Sequence, residues 1–213
     1  MQTLSAADLI ELFQSWKDLF AEQRAFLIAL DGKVGDSDLG ITMSKSFAAA
    51  AEALAAEGPD AGLSKLLRTA GAAMARSAPS TMGTLTATGF LRASKAVEGM
   101  CTLDTAAMAN FWRAYCDGVA ERGKAKVGEK TLLDVLEPIA ATLEEQSTVG
   151  ASLADALKVT ADAAARALEV TKSMVAQRGK AAAFQEKSVG LQDAGATVGY
   201  FMIRRLAEFV AAG

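Results

Sequence analysis

SAADLIELFQSWKDLFAEQRAFLIAL, Ser5–Leu30, decides the fold class. Leu9, Leu12, Phe13, Trp16 and Phe20 recur at spacings of three and four, which places them on one face of a helix. Ser5 with Asp8 three residues later reads as a capping-box-like start, and the apolar pattern predicts a helix running to about Leu30. Working outward, the same period predicts helices at about 41–57, 63–76, 84–97, 105–122, 131–145, 153–174 and 194–211, eight in all. Breakers separate them: Gly58-Pro59, Ala78-Pro79, Gly123 and Gly128, and Val149-Gly150. Pro138 falls inside the sixth of the eight patterns, 131–145, so a kink or a late start is expected there.

Composition agrees with an all-α reading. Hydrophobic residues are 51% of the 213 but aromatics only 6%, and alanine recurs through Ala48–Ala56 and Ala161–Ala167, which suits closely packed helices better than a sheet of β-branched and aromatic residues. No composition shift marks a boundary, so one domain over 1–213 is expected. The formal charge of −3 is spread along the chain without a basic run, which argues against nucleic acid. No apolar run reaches the roughly 20 residues that span a bilayer, and the first residues do not read as a signal peptide, so a cytoplasmic protein with no membrane contact is expected. Cys101 and Cys116 are too few for a disulfide framework and are expected to be ordinary buried or semi-buried thiols. The chain has no histidine, which excludes histidine-based triads, histidine-ligated zinc and histidine phosphorelay on this polypeptide.

Four segments look like sites. In DGKVGDSDLG, Asp31–Gly40, Asp31, Asp36 and Asp38 stand within eight residues, with glycines at 32, 35 and 40 that let the chain fold back on itself. Converging carboxylates repel unless a cation neutralises them, and hard oxygen ligands suit Mg²⁺ or Ca²⁺. An EF-hand is not completed, because its twelfth position is Thr42. The residues alone fit either a metal site or a solvated turn of helix-capping aspartates. Ser77–Thr84 (SAPSTMGT) opens a helix with small and hydroxyl residues, as an anion-binding helix start would, or as an ordinary N-cap would; it is not a Walker loop. Gly128–Asp134 (GEKTLLD) is another glycine-to-helix transition. Arg178–Gly195 is a long connection carrying Arg178, Lys180 and Lys187, either a binding loop or a solvated one.

In order, these segments resemble the L subunit of dihydroxyacetone kinases and the equivalent C-terminal domain of the single-chain enzymes. The counterparts of the family's motifs are Gly35–Met43 (GDSDLGITM), Thr81–Leu85 (TMGTL), Gly128–Thr131 (GEKT), and Gly179–Ala181 with Gly190–Ala196 (GLQDAGA). The resemblance implies an antiparallel eight-helix barrel with a nucleotide pocket at one end. It implies that Asp31, Asp36 and Asp38 bind two Mg²⁺ ions bridging the phosphates of ADP or ATP. Thr42, Ser80, Thr81, Met82, Gly83, Thr84, Gly128, Thr131 and Leu132 would line the nucleotide site, Lys180 would face phosphate in place of the family's usual arginine, and Asp193 would help close the late loop.

The family holds its ketone on a K subunit through a histidine, so the resemblance implies a K-like sugar-binding partner. It also implies a phosphoryl donor that is either ATP or a phosphotransferase-system subunit recharging ADP, and it allows a homodimer. Leu39 and Leu191 replace family histidines, Ala194 replaces a proline and Thr42 an asparagine. These swaps suggest a divergent subfamily acting on a different triose, tetrose or related sugar. Two other classes remain: a nucleotide-loaded module that binds a transcription regulator, and a helical scaffold with no affinity for Mg-ADP.

Overall fold

In the computed structural model, which describes residues 1–213, nine α-helices follow one another without a β-sheet. They are α1 (Ala6–Glu22), α2 (Arg24–Asp31), α3 (Leu39–Glu57), α4 (Leu63–Ser77), α5 (Thr81–Ala96), α6 (Thr105–Gly123), α7 (Leu133–Thr148), α8 (Leu153–Val170) and α9 (Ala194–Ala212). Ser5 and Asp8 form the full capping box. The expected single helix to Leu30 is broken at Gln23, whose φ of −83° and ψ of 2° leave the helical region. Apolar periodicity carries across the break, so it gave no warning. Beyond the break, α2 lies so close to the start of α3 that any Cβ on Gly40 would collide with the Arg24 carbonyl.

Three other boundaries move. The fifth helix begins at Thr81 rather than Thr84, because Ser80 accepts the Gly83 N–H and caps it. The next but one starts late, at Leu133, and then runs through Pro138. The eighth ends at Val170, followed by a 3₁₀ turn over Thr171–Ser173, and the connection to α9 contains a further 3₁₀ stretch over Lys180–Ser188.

Consecutive helices from α3 to α9 pack on their neighbours in turn, and α9 packs back on α1, making a single helical bundle. The Trp16 indole N–H donates to the Met202 carbonyl at 3.0 Å, tying α1 to α9. The few aromatics are concentrated rather than spread: Phe13, Trp16, Phe20, Phe47 and Phe90 form one buried cluster with ring centroids 4.4–6.4 Å apart. Each such ring, fully buried, contributes about 1.5–3 kcal/mol. Phe90 passes the cluster on to Phe111 and Tyr115 of α6. Cys116 is buried, but Cys101 is exposed, contrary to expectation, on the turn before α6. No helix is long and apolar enough to cross a membrane.

Candidate functional site

The loop between α2 and α3 is shaped by Asp31. Its Oδ2 accepts the N–H groups of Asp38 (3.0 Å) and Leu39 (3.3 Å), so it reaches across the loop to cap α3. Ser37 takes a φ of 62°, a left-handed conformation that non-glycine residues rarely adopt and that needs support from its surroundings. A Cβ at Gly35 would collide with the Asp31 carboxylate. The capping reading of this loop holds in part: Asp31 does cap a helix, but Asp38, the residue preceding α3, caps nothing. One carboxylate oxygen from each of Asp31, Asp36 and Asp38 lies within 4.8 Å of the others. Asp36 and Asp38 are exposed and Asp31 half-buried. Such a donor set, all oxygen and all acidic, fits a divalent hard cation that completes its shell with water or phosphate.

At the second segment, Ser80 caps α5, and the N–H groups of the first turn, from Thr81 onward, have no partner within the helix. Gly83 sits where a Cβ would run into the Ala78 carbonyl. An open pocket of about 570 Å³ faces this helix start, lined by Pro79, Ser80, Thr81, Thr84 and Leu85, and by Arg122 and Gly123 from the end of α6. Sequence patterning marks Gly123 only as a breaker and gives Arg122 no role at a site; only the packing of α6 beside α5 brings them here. Another pocket, of about 380 Å³, lies between α4 and α5 around Arg68, Arg92 and Lys95, and shares none of these residues.

The third segment is organised by Asp134, a buried residue that sequence reading passed over. Its carboxylate accepts the Gly128 N–H at 2.5 Å and the Thr131 N–H at 2.6 Å, while Thr131 Oγ1 accepts the Leu133 N–H at 3.2 Å. Gly128, with φ 92°, is in a conformation natural to glycine. This turn meets the fourth segment: Leu132 N and Met82 Sδ both lie 3.5 Å from where a Gly195 Cβ would stand. Asp193 caps α9 by accepting the Ala196 N–H at 2.7 Å. Burial, with Asp134 nearby, pushes its carboxyl up to about 6, against the pull of the Ala196 N–H and of Lys130. The residue keeps some exposed surface, but the carboxyl itself is enclosed.

Lys180, in the late loop, forms an ion pair with Asp36. The first and fourth segments are thus joined, and the second, third and fourth meet at Met82, Leu132 and Gly195. Two of the predicted residues are nearly closed off: Thr42, one turn into α3, is 7% exposed, and Leu132 4%.

Residues 33–208 match the family model described as the DAK2 domain. The chain belongs to the DAK2 domain family. This DAK2 chain is 32% identical over 205 residues to the PEP-dependent dihydroxyacetone kinase, ADP-binding subunit DhaL, of Escherichia coli (strain K12), covering 96% of this chain and 97% of that subunit. It is 31% identical over 199 residues to a D-erythrulose kinase of Mycolicibacterium smegmatis, covering 93% of this chain but 34% of that enzyme. Crystal structures of the dihydroxyacetone kinase of C. freundii, native and in complex with AMP-PNP and Mg²⁺, superpose with TM-scores of 0.73 and 0.71 at 24% identity. They cover 93% of the DAK2 chain and 34% and 33% of the kinase, and they show a shared fold.

Proposed function

We propose that this chain is the ADP/ATP-binding subunit of a two-component kinase of the dihydroxyacetone-kinase type, which passes a phosphoryl group to a hydroxyl of a small ketose held on a K-like partner. The observation that carries the reading is the convergence of Asp31, Asp36 and Asp38 beneath the Lys180 loop, in a chain that aligns end to end with an ADP-binding subunit. The helices form an antiparallel barrel of eight staves, α1 and α2 counting as one broken stave, a reading supported by the packing of α9 on α1 and by the shared fold.

In this reading the three aspartates hold two Mg²⁺ ions, which when bound neutralise phosphate oxygens and align the transferred group. The rest falls to the chain's own residues. The unpartnered N–H groups at the start of α5, with Ser80, Thr81, Met82, Gly83 and Thr84, receive the nucleotide's anionic portion. Gly128, Thr131 and Leu132 form a second wall, and Thr42 completes the lining. Lys180 faces phosphate as a point charge, exchanging Asp36 for the nucleotide, and Asp193 fixes the end of the loop at α9.

The resembled family holds its ketone through a histidine on the K subunit, and a chain with no histidine is compatible with that division of labour. The E. coli relative is named for a PEP-dependent enzyme, which supports a phosphotransferase-system donor that recharges bound ADP. The erythrulose kinase relative supports a triose or tetrose acceptor. The compartment proposed is the cytoplasm. Light scattering of the purified chain reads whether it forms the expected homodimer.

The deciding experiment is calorimetric titration of nucleotide-free protein with ADP, with and without Mg²⁺. Binding that requires Mg²⁺ and disappears in Asp36→Ala, with helical content unchanged, is the expected result. Equal affinity in Asp36→Ala would sink the metal assignment, and no binding in either condition would sink the function.

A further inference from the structure

The connection between α8 and α9 has a neck and a tip. At the neck, Gly190 N–H donates to the Lys172 carbonyl at 2.7 Å, Ala176 N–H to Ser188 Oγ at 2.9 Å and Asp193 N–H to Thr171 Oγ1 at 3.1 Å. The tip, residues 177–187, carries Arg178, paired with Glu129 at 2.7 Å, and Lys180, paired with Asp36.

Through the middle of the neck runs one side chain that belongs to neither strand of it. Lys130 is 2% exposed, and its ammonium donates to the carbonyls of Met174 (3.2 Å), Ser188 (2.6 Å) and Leu191 (2.7 Å). An ammonium has three hydrogens, and here all three are used. The acceptors come from both sides of the neck, so the two sides cannot part without stripping a buried charge of its partners. Lys130 also holds a left-handed φ of 58°, which aims its side chain away from the Gly128–Thr131 turn and into the neck.

We propose that Lys130 is a positioning residue for the nucleotide site, clamping the neck so that the tip delivers Lys180 to the aspartate cluster and the loop's end sets Gly195 against Leu132 and Met82. The nucleotide role rests on the function proposed above; the clamp rests on the geometry alone. Lysine suits the task because an apolar side chain of similar length would leave the Met174, Ser188 and Leu191 carbonyls without this donor.

The test compares the full-length wild type with Lys130→Met by hydrogen exchange and by titration with Mg-ADP and with Mn²⁺ alone. The clamp predicts that exchange at Ala176, Gln177 and Gly190 speeds at least tenfold while α1 and α3 keep their protection. It further predicts that Mg-ADP affinity falls about tenfold or more, in line with losing charge-assisted contacts, while Mn²⁺ affinity does not fall. Unchanged neck exchange overturns the clamp, and a loosened neck with undiminished Mg-ADP affinity overturns the positioning role. A wild type that binds no Mg-ADP refutes the function itself, an outcome distinct from both. If Lys130→Met does not fold, Lys130→Gln, which keeps a donor without the charge, is measured in the same way; an affinity equal to the wild type then overturns the proposal.

Discussion

Lys180 has two competing attachments, and removing it separates them. Its ion pair with Asp36 sets its ammonium against any cation seeking that carboxylate, but both groups are exposed, so the pair is worth no more than about 1 kcal/mol. Lys180→Ala is therefore expected to tighten Mn²⁺ binding to the free chain by up to about fivefold, while weakening Mg-ADP by about tenfold through loss of the phosphate contact. Titrations with the metal alone and with the nucleotide should move in opposite directions; movement in the same direction would mean that Lys180 does not meet phosphate. Asp193 supports a prediction on pH. Its carboxyl is raised from 3.8 to about 6 in the folded chain, so folding takes up a proton, and this group's contribution favours the fold at low pH and is lost as pH rises from about 4 through 6. Asp193→Asn keeps a capping oxygen and removes the titration. The variant should be more stable than wild type at pH 7.5 by about 1–2 kcal/mol, a margin that shrinks toward pH 4, as read by urea melts at both pH values.

Among the helices, local chemistry sets the starts but does not mark every interruption. Ser5 and Ser80 each accept the N–H three residues on, Ser5 within a full capping box and Ser80 without one, yet only Ser80 borders the pocket. Ser5→Ala and Ser80→Ala should each cost about 1 kcal/mol in a melt, but only Ser80→Ala should also weaken Mg-ADP, because only there does the helix start face the proposed ligand. Equal nucleotide affinities for both variants would remove α5 from the site. The helices were legible in the sequence because a spacing of three and four is a local property, and the breakers Gly58-Pro59 and Ala78-Pro79 act within a few residues. The break at Gln23 was not legible, since the position holds neither proline nor glycine and the apolar period continues across it.

At the scale of the molecule, the bundle is held by close approach as much as by area. On Gly89 of α5, a Cβ would stand 2.5 Å from the ring atoms of Tyr115 on α6, itself fully buried. Gly89→Ala should cost about 1–3 kcal/mol, the usual range for overpacking a closed core, and an unchanged melting temperature would show that α5 and α6 can part freely. The sequence by itself determined the all-α class, the loop holding Asp31, Asp36 and Asp38, and the small-residue segment 77–84 that opens a helix, because each is a pattern within about ten residues. It also ruled out histidine chemistry. Only the tertiary structure decided that Lys130 grips carbonyls 44, 58 and 61 residues away, that Lys180 reaches Asp36, and that Arg122 and Gly123 border the pocket. Those contacts depend on which helices become neighbours, and a side chain's partner across a bundle leaves no period or spacing in the chain that carries it.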